Sequence, residues 1–342
     1  MAKYKTMRHF FLAILMISGL SSMAQSNAND IFAAGVEDAE RFTNDYFGPL
    51  SEGALYSISN GWYNSGKAKP LGGFEISIIG NMANFKNKDD KKAFVLNTAD
   101  YENLQFVDGS ASKVVASALG DLEGIRVFVE GEIAPGITQR EEFELPSGLS
   151  GEGINFVPSA FIQASVGLIK GIELKARFLP KVDTDDVSVG FYGVGLQHEL
   201  TSLLPAEKIW PVAISGVIGY AHLDGSYDFT DTGVIAGQDQ RIEMTMNTWT
   251  FQAVVSTKLP VINFYGGIGY LKGKSTTDFL GTYESGFITS PSVEDPFSLT
   301  REVSGVTANV GTKLKLGFFR LHADYTIAAF NSLSFGINFG FR

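Results

Sequence analysis

His222, Asp224 and Ser226 alternate along the short stretch HLDGSYD, and a base, an acid and a hydroxyl at such spacing are the raw material of hydrolytic chemistry. A second set, Arg320, His322 and Asp324 in FRLHADYTI, shares one face if the stretch is extended, and forms a charged cluster there. Asp183, Asp185 and Asp186 crowd one turn and are candidate hard-oxygen ligands for a cation such as Ca²⁺, although three carboxylates in a turn without further ligands are more commonly a solvated loop. No H-E-x-x-H, G-x-S-x-G or phosphate-loop pattern is present, and no cofactor is implied. The expectation is therefore a protein without a catalytic site, with Asp183, Asp185 and Asp186 as weak metal candidates only.

The elements carrying these residues are extended. In NSLSFGINFGFR, Leu333, Phe335, Ile337, Phe339 and Phe341 alternate with Ser334, Gly336, Asn338, Gly340 and Arg342, the period of a strand with one apolar face. FRLHADYTI and GVTANVGTKLKLGFF repeat the pattern, placing Arg320, His322, Asp324, Lys313 and Lys315 on the opposite, polar side. A soluble two-sheet sandwich also alternates. Aromatic residues at strand ends point instead to a transmembrane antiparallel up-and-down β-barrel of 10–14 strands.

Connection lengths support that reading. With the last strand descending to the periplasm, the long connections at about 84–158, 224–243 and 272–300 all fall on the exterior side, and ten strands are counted. The 84–158 segment is too long for a bare loop. SASKVVASALG within it suits a short helix, and GIRVFVEGEI suits a strand that ENLQFV could join, either as a further barrel hairpin or as an exterior or luminal cap.

The first residues read as a secretory signal. Lys3, Lys5 and Arg8 precede the apolar run FFLAILMISGL, and Ser22 and Ala24 suit cleavage before Gln25. Eleven apolar residues span only about half of a ~30 Å hydrocarbon core, too short for an anchor. The chain of 342 residues has no cysteine, so neither disulfides nor a lipidated N-terminal cysteine are available. Glycine and phenylalanine are abundant, as in outer-membrane barrels. The net charge of −10 argues against nucleic acid as a partner.

Between the signal (1–24) and the barrel (72–342) lies a segment, 25–71, without strand character. Phe32, Val36, Ala39, Phe42 and Tyr46 fall at helical spacing, Gly48-Pro49 is a stop signal, and a second short helix is expected around 51–58. The apolar face, with Phe32 and Phe42, needs cover from the barrel lumen or from the barrel's periplasmic underside.

YFGPLSEGALYSISNGWYNSGKAKPLGGFEI, Tyr46 to Ile76, resembles the opening of an outer-membrane barrel family of Bacteroidetes-type bacteria known only as a domain of unknown function, and the likeness extends over the mature chain. More distantly, an N-terminal luminal element before a barrel is similar to the FadL-like long-chain fatty-acid transporter family, whose NPA hatch motif is absent here. These resemblances imply an integral protein of the Gram-negative outer membrane, with membrane lipid and the barrel-assembly machinery as partners and Phe339 and Phe341 as an assembly signal. Uptake or passage of a small solute, hydrophobic ones included, is the expected function, with Phe32, Phe42, Arg320, His322 and Asp324 as ligand-facing or luminal candidates. A structural or partner-docking barrel is the alternative. An outer-membrane hydrolase is the third reading, although the phospholipase pattern G-x-x-H-x-S-N-G is not met, because Leu223-Asp224-Gly225 follow His222.

Overall fold

The computed structural model describes residues 30–184, 186–204, 211–228, 236–284 and 292–341. The signal segment 1–24 and Asp185 lie outside them.

Ten antiparallel strands close on themselves. In chain order they are β1 (Phe74–Asn84), β7 (Phe156–Gly167), β8 (Ile172–Asp183), β9 (Val187–Glu199), β10 (Val212–Asp228), β11 (Ala236–Thr257), β12 (Ile262–Glu284), β14 (Phe297–Leu316), β15 (Phe319–Ile327) and β16 (Asn331–Phe341). Each pairs with the next, and β16 pairs with β1 over eleven rungs from Phe74↔Phe341 to Asn84↔Asn331. Closure leaves no edge strand, which a barrel in lipid requires because an unpaired backbone there has no water to bond.

Burial alternates along the strands in the expected sense. Phe335, Ile337, Phe339 and Phe341 point outward, whereas Ser334, Asn338 and their neighbours are buried inward. Large apolar groups such as Ile268, Val306 and Val310 are two-thirds or more exposed on the outer wall or nearly so. No soluble protein would leave such a continuous apolar band in water. At the long-loop end Tyr192, Tyr220 and Trp249 stand side by side on three neighbouring strands, with Tyr220 and Trp249 rings 4.9 Å apart. Phe74, Phe318, Phe319, Phe339 and Phe341 mark the short-turn end. These are the two aromatic girdles of a membrane barrel.

Three sequence expectations are corrected. The helix does not stop at Gly48-Pro49, because α1 runs unbroken from Val36 to Ser59 with Pro49 inside it. Pro49 removes one N–H bond and crowds the carbonyl one turn earlier, but Gly48 leaves the space the Arg301 guanidinium occupies, so packing outweighs the local stop signal. SASKVVASALG is not helical, since β4 (Ser112–Ala116) pairs with β2 (Ala93–Asn97), as its adjacent β-branched Val114 and Val115 favour. The long loops are largely strand, because β10, β11, β12 and β14 continue as a paired ribbon, with β11 and β12 pairing as far as Ala236↔Glu284 and the short β13 (Val293–Glu294) bridging to β12.

The 84–158 insert adds no strand to the barrel. After the single turn α2 (Asp89–Lys92), it builds the β2–β4 pair and a three-stranded sheet of β3 (Gln105–Phe106), β5 (Arg126–Ala134) and β6 (Ile137–Glu144). The expected pairing of ENLQFV with GIRVFVEGEI is present as Gln105↔Phe128 and Phe106↔Val127. This small unit caps the long-loop end. Its Leu104, Phe106, Val127 and Val129 pack with Phe32, Phe42 and Tyr46 of the N-terminal segment. Asp38 accepts three backbone N–H bonds, from Glu102, Asn103 and Leu104, fastening α1 to the cap.

Candidate functional site

At roughly 1.5 Å per residue, α1 is about 36 Å long, enough to run from the cap into the barrel. Its second half faces the inner wall, where Leu55, Tyr56 and Ile58 join Ile79, Val157, Phe161, Phe191, Val217, Met246 and Leu271 in one core. Residues 60–73 then continue down the lumen to the start of β1. The interior is thereby divided into an apolar upper chamber beside α1 and a polar lower part filled by chain.

The upper chamber is a cavity of about 180 Å³ between α1 and the inner wall of β7 to β12. Leu50, Ala54 and Ile58 of the helix face Phe161, Leu179, Phe191, Leu223 and Met246 of the wall. Charged side chains are absent from its lining, so water inside would find few partners, and an apolar chain or ring is the better occupant.

Arg177 lies beneath the cavity floor. Its guanidinium stacks 3.5 Å over the Trp62 ring and 4.3 Å from the centre of Phe161, and its Nε donates to Gln163 at 2.9 Å. Nη1 donates to the Ile58 carbonyl, so the cation also caps the end of the helix. Trp62 itself fills a dent in β9 and β10, where Gly193, Gly195 and Gly219 stand. A Cβ on Gly219 would lie 2.3 Å from the indole, and only glycine leaves that seat open.

Below Trp62 the chain is tied to the wall in every direction. Tyr63 donates to Asn309 at 2.6 Å, Asn64 to Glu75 at 2.9 Å, and Gln197 to the Ser65 carbonyl at 2.9 Å. Gly66 N–H reaches Ser256, Ala68 N–H reaches Glu199, and Lys69 N–H reaches Glu173. Around these runs a chain of buried charges. Glu75 takes Lys313 at 3.0 Å and Arg320 at 2.7 Å, while Glu173 takes Lys175 and, at 2.9 Å, Lys69. Burial alone would depress the Lys69 ammonium, but the Glu173 and Glu75 carboxylates outweigh it and raise its pKa. This tier clamps the plug and closes the lower lumen.

The five luminal candidates are not brought together. Arg320, His322 and Asp324 do face the interior, Arg320 on Glu75, His322 Nδ1 on the Asn338 amide at 2.9 Å, and Asp324 accepting Tyr265 at 2.8 Å. They belong to the lower clamp. Phe32 and Phe42 sit at the opposite end, Phe32 stacked 4.4 Å from Tyr283 and Phe42 5.6 Å from Tyr46. None of the five lines the cavity. Asp183 is largely exposed beside Lys181, and among the described residues no cluster of three or more His, Cys, Asp or Glu has metal-holding geometry. His222 faces outward in the aromatic girdle, 4.8 Å from Tyr192 and bonded to Asn247, on the far side of the wall from the cavity. Phe339 and Phe341 lie on the outer face in the rungs that close the barrel.

Sequence reasoning missed Trp62, Arg177, Glu75, Glu173, Lys175 and Lys69. Strand parity already placed Lys313 inward. The same parity applied to Glu75 in GFEIS and to Lys175 and Arg177 in ELKAR marks them as inward charges on otherwise apolar strands.

A closed barrel with an apolar outer band, two aromatic girdles and a chain-filled lumen defines a membrane-spanning β-barrel of the outer-membrane type. The chain belongs to the Family of unknown function (DUF6588), which it matches over residues 1–341. No curated protein matches it in sequence. Among solved structures it is similar to the translocator domain of the autotransporter NalP from Neisseria meningitidis, at 8% identity and a TM-score of 0.32, covering 90% of this chain and 99% of that one. It is also similar to Ail, the attachment invasion locus protein of Yersinia pestis, at 10% identity and TM-score 0.27, covering 79% and 99%. The TodX monoaromatic hydrocarbon channel follows at 9% identity and TM-score 0.24, covering 86% and 70%.

Proposed function

We propose that this protein is a non-catalytic outer-membrane barrel that binds and passes a small apolar solute, with the cap and long loops outside the cell and the short turns in the periplasm. The observation that carries this reading is the cavity beside α1, lined mostly by aliphatic and aromatic side chains, with the hydroxyls of Ser51, Ser159, Ser226 and Thr277 and no charge. Structural barrels gain nothing from such a chamber, since an unfilled apolar cavity costs roughly 20–25 cal/mol per Å³ relative to a packed wall. The clamp of residues 60–73 favours a gated path over an open pore. Its partners are membrane lipid and the assembly machinery that inserts barrels, and it uses no cofactor.

The test is binding of the apolar dye diphenylhexatriene to the detergent-purified chain. Ala54 faces the cavity, so Ala54→Trp fills it. Saturable binding by the unaltered protein, weakened at least about tenfold by Ala54→Trp, is expected from losing a site of this size. Equal binding by both proteins overturns the assignment.

A further inference from the structure

The connections at the short-turn end carry large apolar residues at their tips. These are Leu71 between the plug and β1, Ile169 after β7, Leu203 after β9, Leu259 after β11 and Phe318 after β14. All are 48–73% exposed, whereas turns that face water are built from Gly, Asn, Asp and Ser. Lysines stand in the same connections or at their edges, as Lys67, Lys170, Lys258 and Lys315.

The charge at this end is one-sided. Among the described residues its carboxylates are Glu75, Glu173, Glu199 and Asp324, and all are buried. Glu75 and Glu173 are taken up by the clamp, Glu199 by the Ala68 N–H and the Thr201 hydroxyl, and Asp324 by Tyr265. No exposed carboxylate is left there among the described residues, although the chain as a whole carries −10. Lys315 joins two of the turns, its Nζ donating to the Leu259 carbonyl at 3.1 Å. It stands within electrostatic reach of two further cations, Lys67 of the plug and Arg320 of β15. Of these three, Arg320 alone has a carboxylate in ion-pair contact among the described residues, Glu75. Like charges gathered at a water-facing rim repel one another unless an anion is shared between them.

We infer that this rim binds an anionic phospholipid of the inner leaflet, whose phosphate is shared by Lys67 and Lys315 and whose chains lie against Phe318 and Leu259. Continuity with the lipid-facing wall fixes the occupant. Phe318 stacks 6.5 Å from Phe339 of that wall, so a ligand seated on the turns is already in contact with the membrane. A lysine beside an apolar tip can lay its stem along lipid while its ammonium meets a phosphate. Lys67 belongs to the plug and Lys315 to the wall, so the headgroup ties one to the other. Lipid composition then sets how firmly the lower lumen is closed. The inference takes the orientation given above, with the short turns in the periplasm, and is independent of the solute site.

The test is native mass spectrometry of the detergent-purified full chain titrated with dioleoylphosphatidylglycerol or dioleoylphosphatidylcholine. Expected is retention of phosphatidylglycerol in preference to phosphatidylcholine. Each lysine at a lipid surface contributes roughly fivefold in affinity. Lys67→Gln with Lys315→Gln should therefore weaken phosphatidylglycerol retention by about twenty- to thirtyfold and leave phosphatidylcholine unchanged. Phe318→Ser should weaken both lipids, and Lys86→Gln with Lys88→Gln, in the cap at the other end, neither. Equal retention of the two lipids by the unaltered protein, or phosphatidylglycerol retention that survives the double substitution, overturns the site. Displacement of the lipid by an equal concentration of inorganic phosphate reduces it to a bare anion site and overturns the lipid assignment. In vesicles, segment 60–73 should resist protease better in phosphatidylglycerol than in phosphatidylcholine, and equal resistance overturns the tie to the plug. Each of these outcomes leaves diphenylhexatriene binding, which reports the cavity, where it stands.

Discussion

Arg320 on β15 reaches Glu75 on β1 at 2.7 Å across the intervening strand β16, at the point where Gly340 stands. A Cβ on Gly340 would lie 2.8 Å from the Arg320 Nη1 and 3.1 Å from the Phe74 carbonyl oxygen. The missing side chain is what lets the ion pair pass over β16, so the closing strand is held both by its own ladders and by a bridge between its two neighbours. Glu75 is the centre of the arrangement, since it also takes Lys313 and the Asn64 amide of the plug.

Gly340→Val should therefore push Arg320 aside and leave Glu75 with fewer partners in a buried setting. Overpacking of this kind costs roughly 1–3 kcal/mol. The expected result is a lower guanidinium midpoint, with Gly340→Ala intermediate. A midpoint equal to that of the unaltered protein would show that the bridge over β16 contributes nothing.

Glu75→Gln removes the charge on which Lys313 and Arg320 converge. Stripping one partner from a buried pair costs about 3–5 kcal/mol, because the remaining cations stay desolvated. Adding Lys313→Met should restore part of the loss, since the two residues touch and their effects do not add. Protease sensitivity of the 60–73 segment is the direct readout of plug release. Equal resistance in Glu75→Gln and the unaltered protein counts against the clamp.

The barrel was legible because its strands answer to one rule. Leu333 to Phe341 and Phe319 to Ile327 alternate without exception, and one apolar solvent outside dictates every second residue. The pairing of β1 with the last strand answers to the same solvent, since lipid tolerates no open edge. Where that solvent ends, so did legibility. Beyond the girdle, one face of the β11–β12 ribbon meets water and the other packs through Phe279 and Tyr283 on Phe32 and the cap, so a single apolar solvent no longer dictates every second residue, and Lys272 to Thr300 reads as loop although most of it is ladder. Pro49 and Gly48 obeyed tertiary packing rather than local preference. The clamp was invisible for another reason. Asn64, Glu75, Glu173, Lys313 and Arg320 meet only through strand register and the path of the plug, which no short window of sequence contains. The cavity was the hardest to foresee, because its lining is ordinary Leu, Phe and Met, and what distinguishes it is the space left among them.

Trp62 offers a spectroscopic test of the plug seat. Its indole is buried against Gly219, Gly195 and the Arg177 guanidinium, and Trp210 and Trp249 can be replaced by Phe so that it reports alone. In that background Gly219→Leu should expel the ring and shift its emission to the red. Trp62→Ala should weaken plug docking by about 3–5 kcal/mol, the usual cost of emptying a large aromatic site. Blue-shifted emission from the Gly219→Leu protein would mean that the glycine dent is not the seat.

Phe339 to Phe341 make the last three of the eleven rungs that close the barrel. Phe339, Gly340 and Phe341 pair with Ile76, Glu75 and Phe74 of β1, and Phe339 pairs with Phe319 on the other side. Removing 339–342 therefore opens the barrel at its short-turn end and bares a row of backbone donors and acceptors on β1 within the membrane. Each unmet group there costs several kcal/mol, more than the remaining rungs can offset. The same deletion discards Phe339 and Phe341, the outward aromatics expected to mark the chain for assembly. Substituting both with Ser separates the two effects, because the backbone rungs survive and only the aromatic faces are lost. The deletion should abolish the heat-modifiable gel shift of a folded barrel both in cells and in refolding from urea. The Ser variant should refold in detergent yet fail to assemble in cells. A Ser variant that assembles normally in cells would confine the role of the two phenylalanines to the membrane-facing wall.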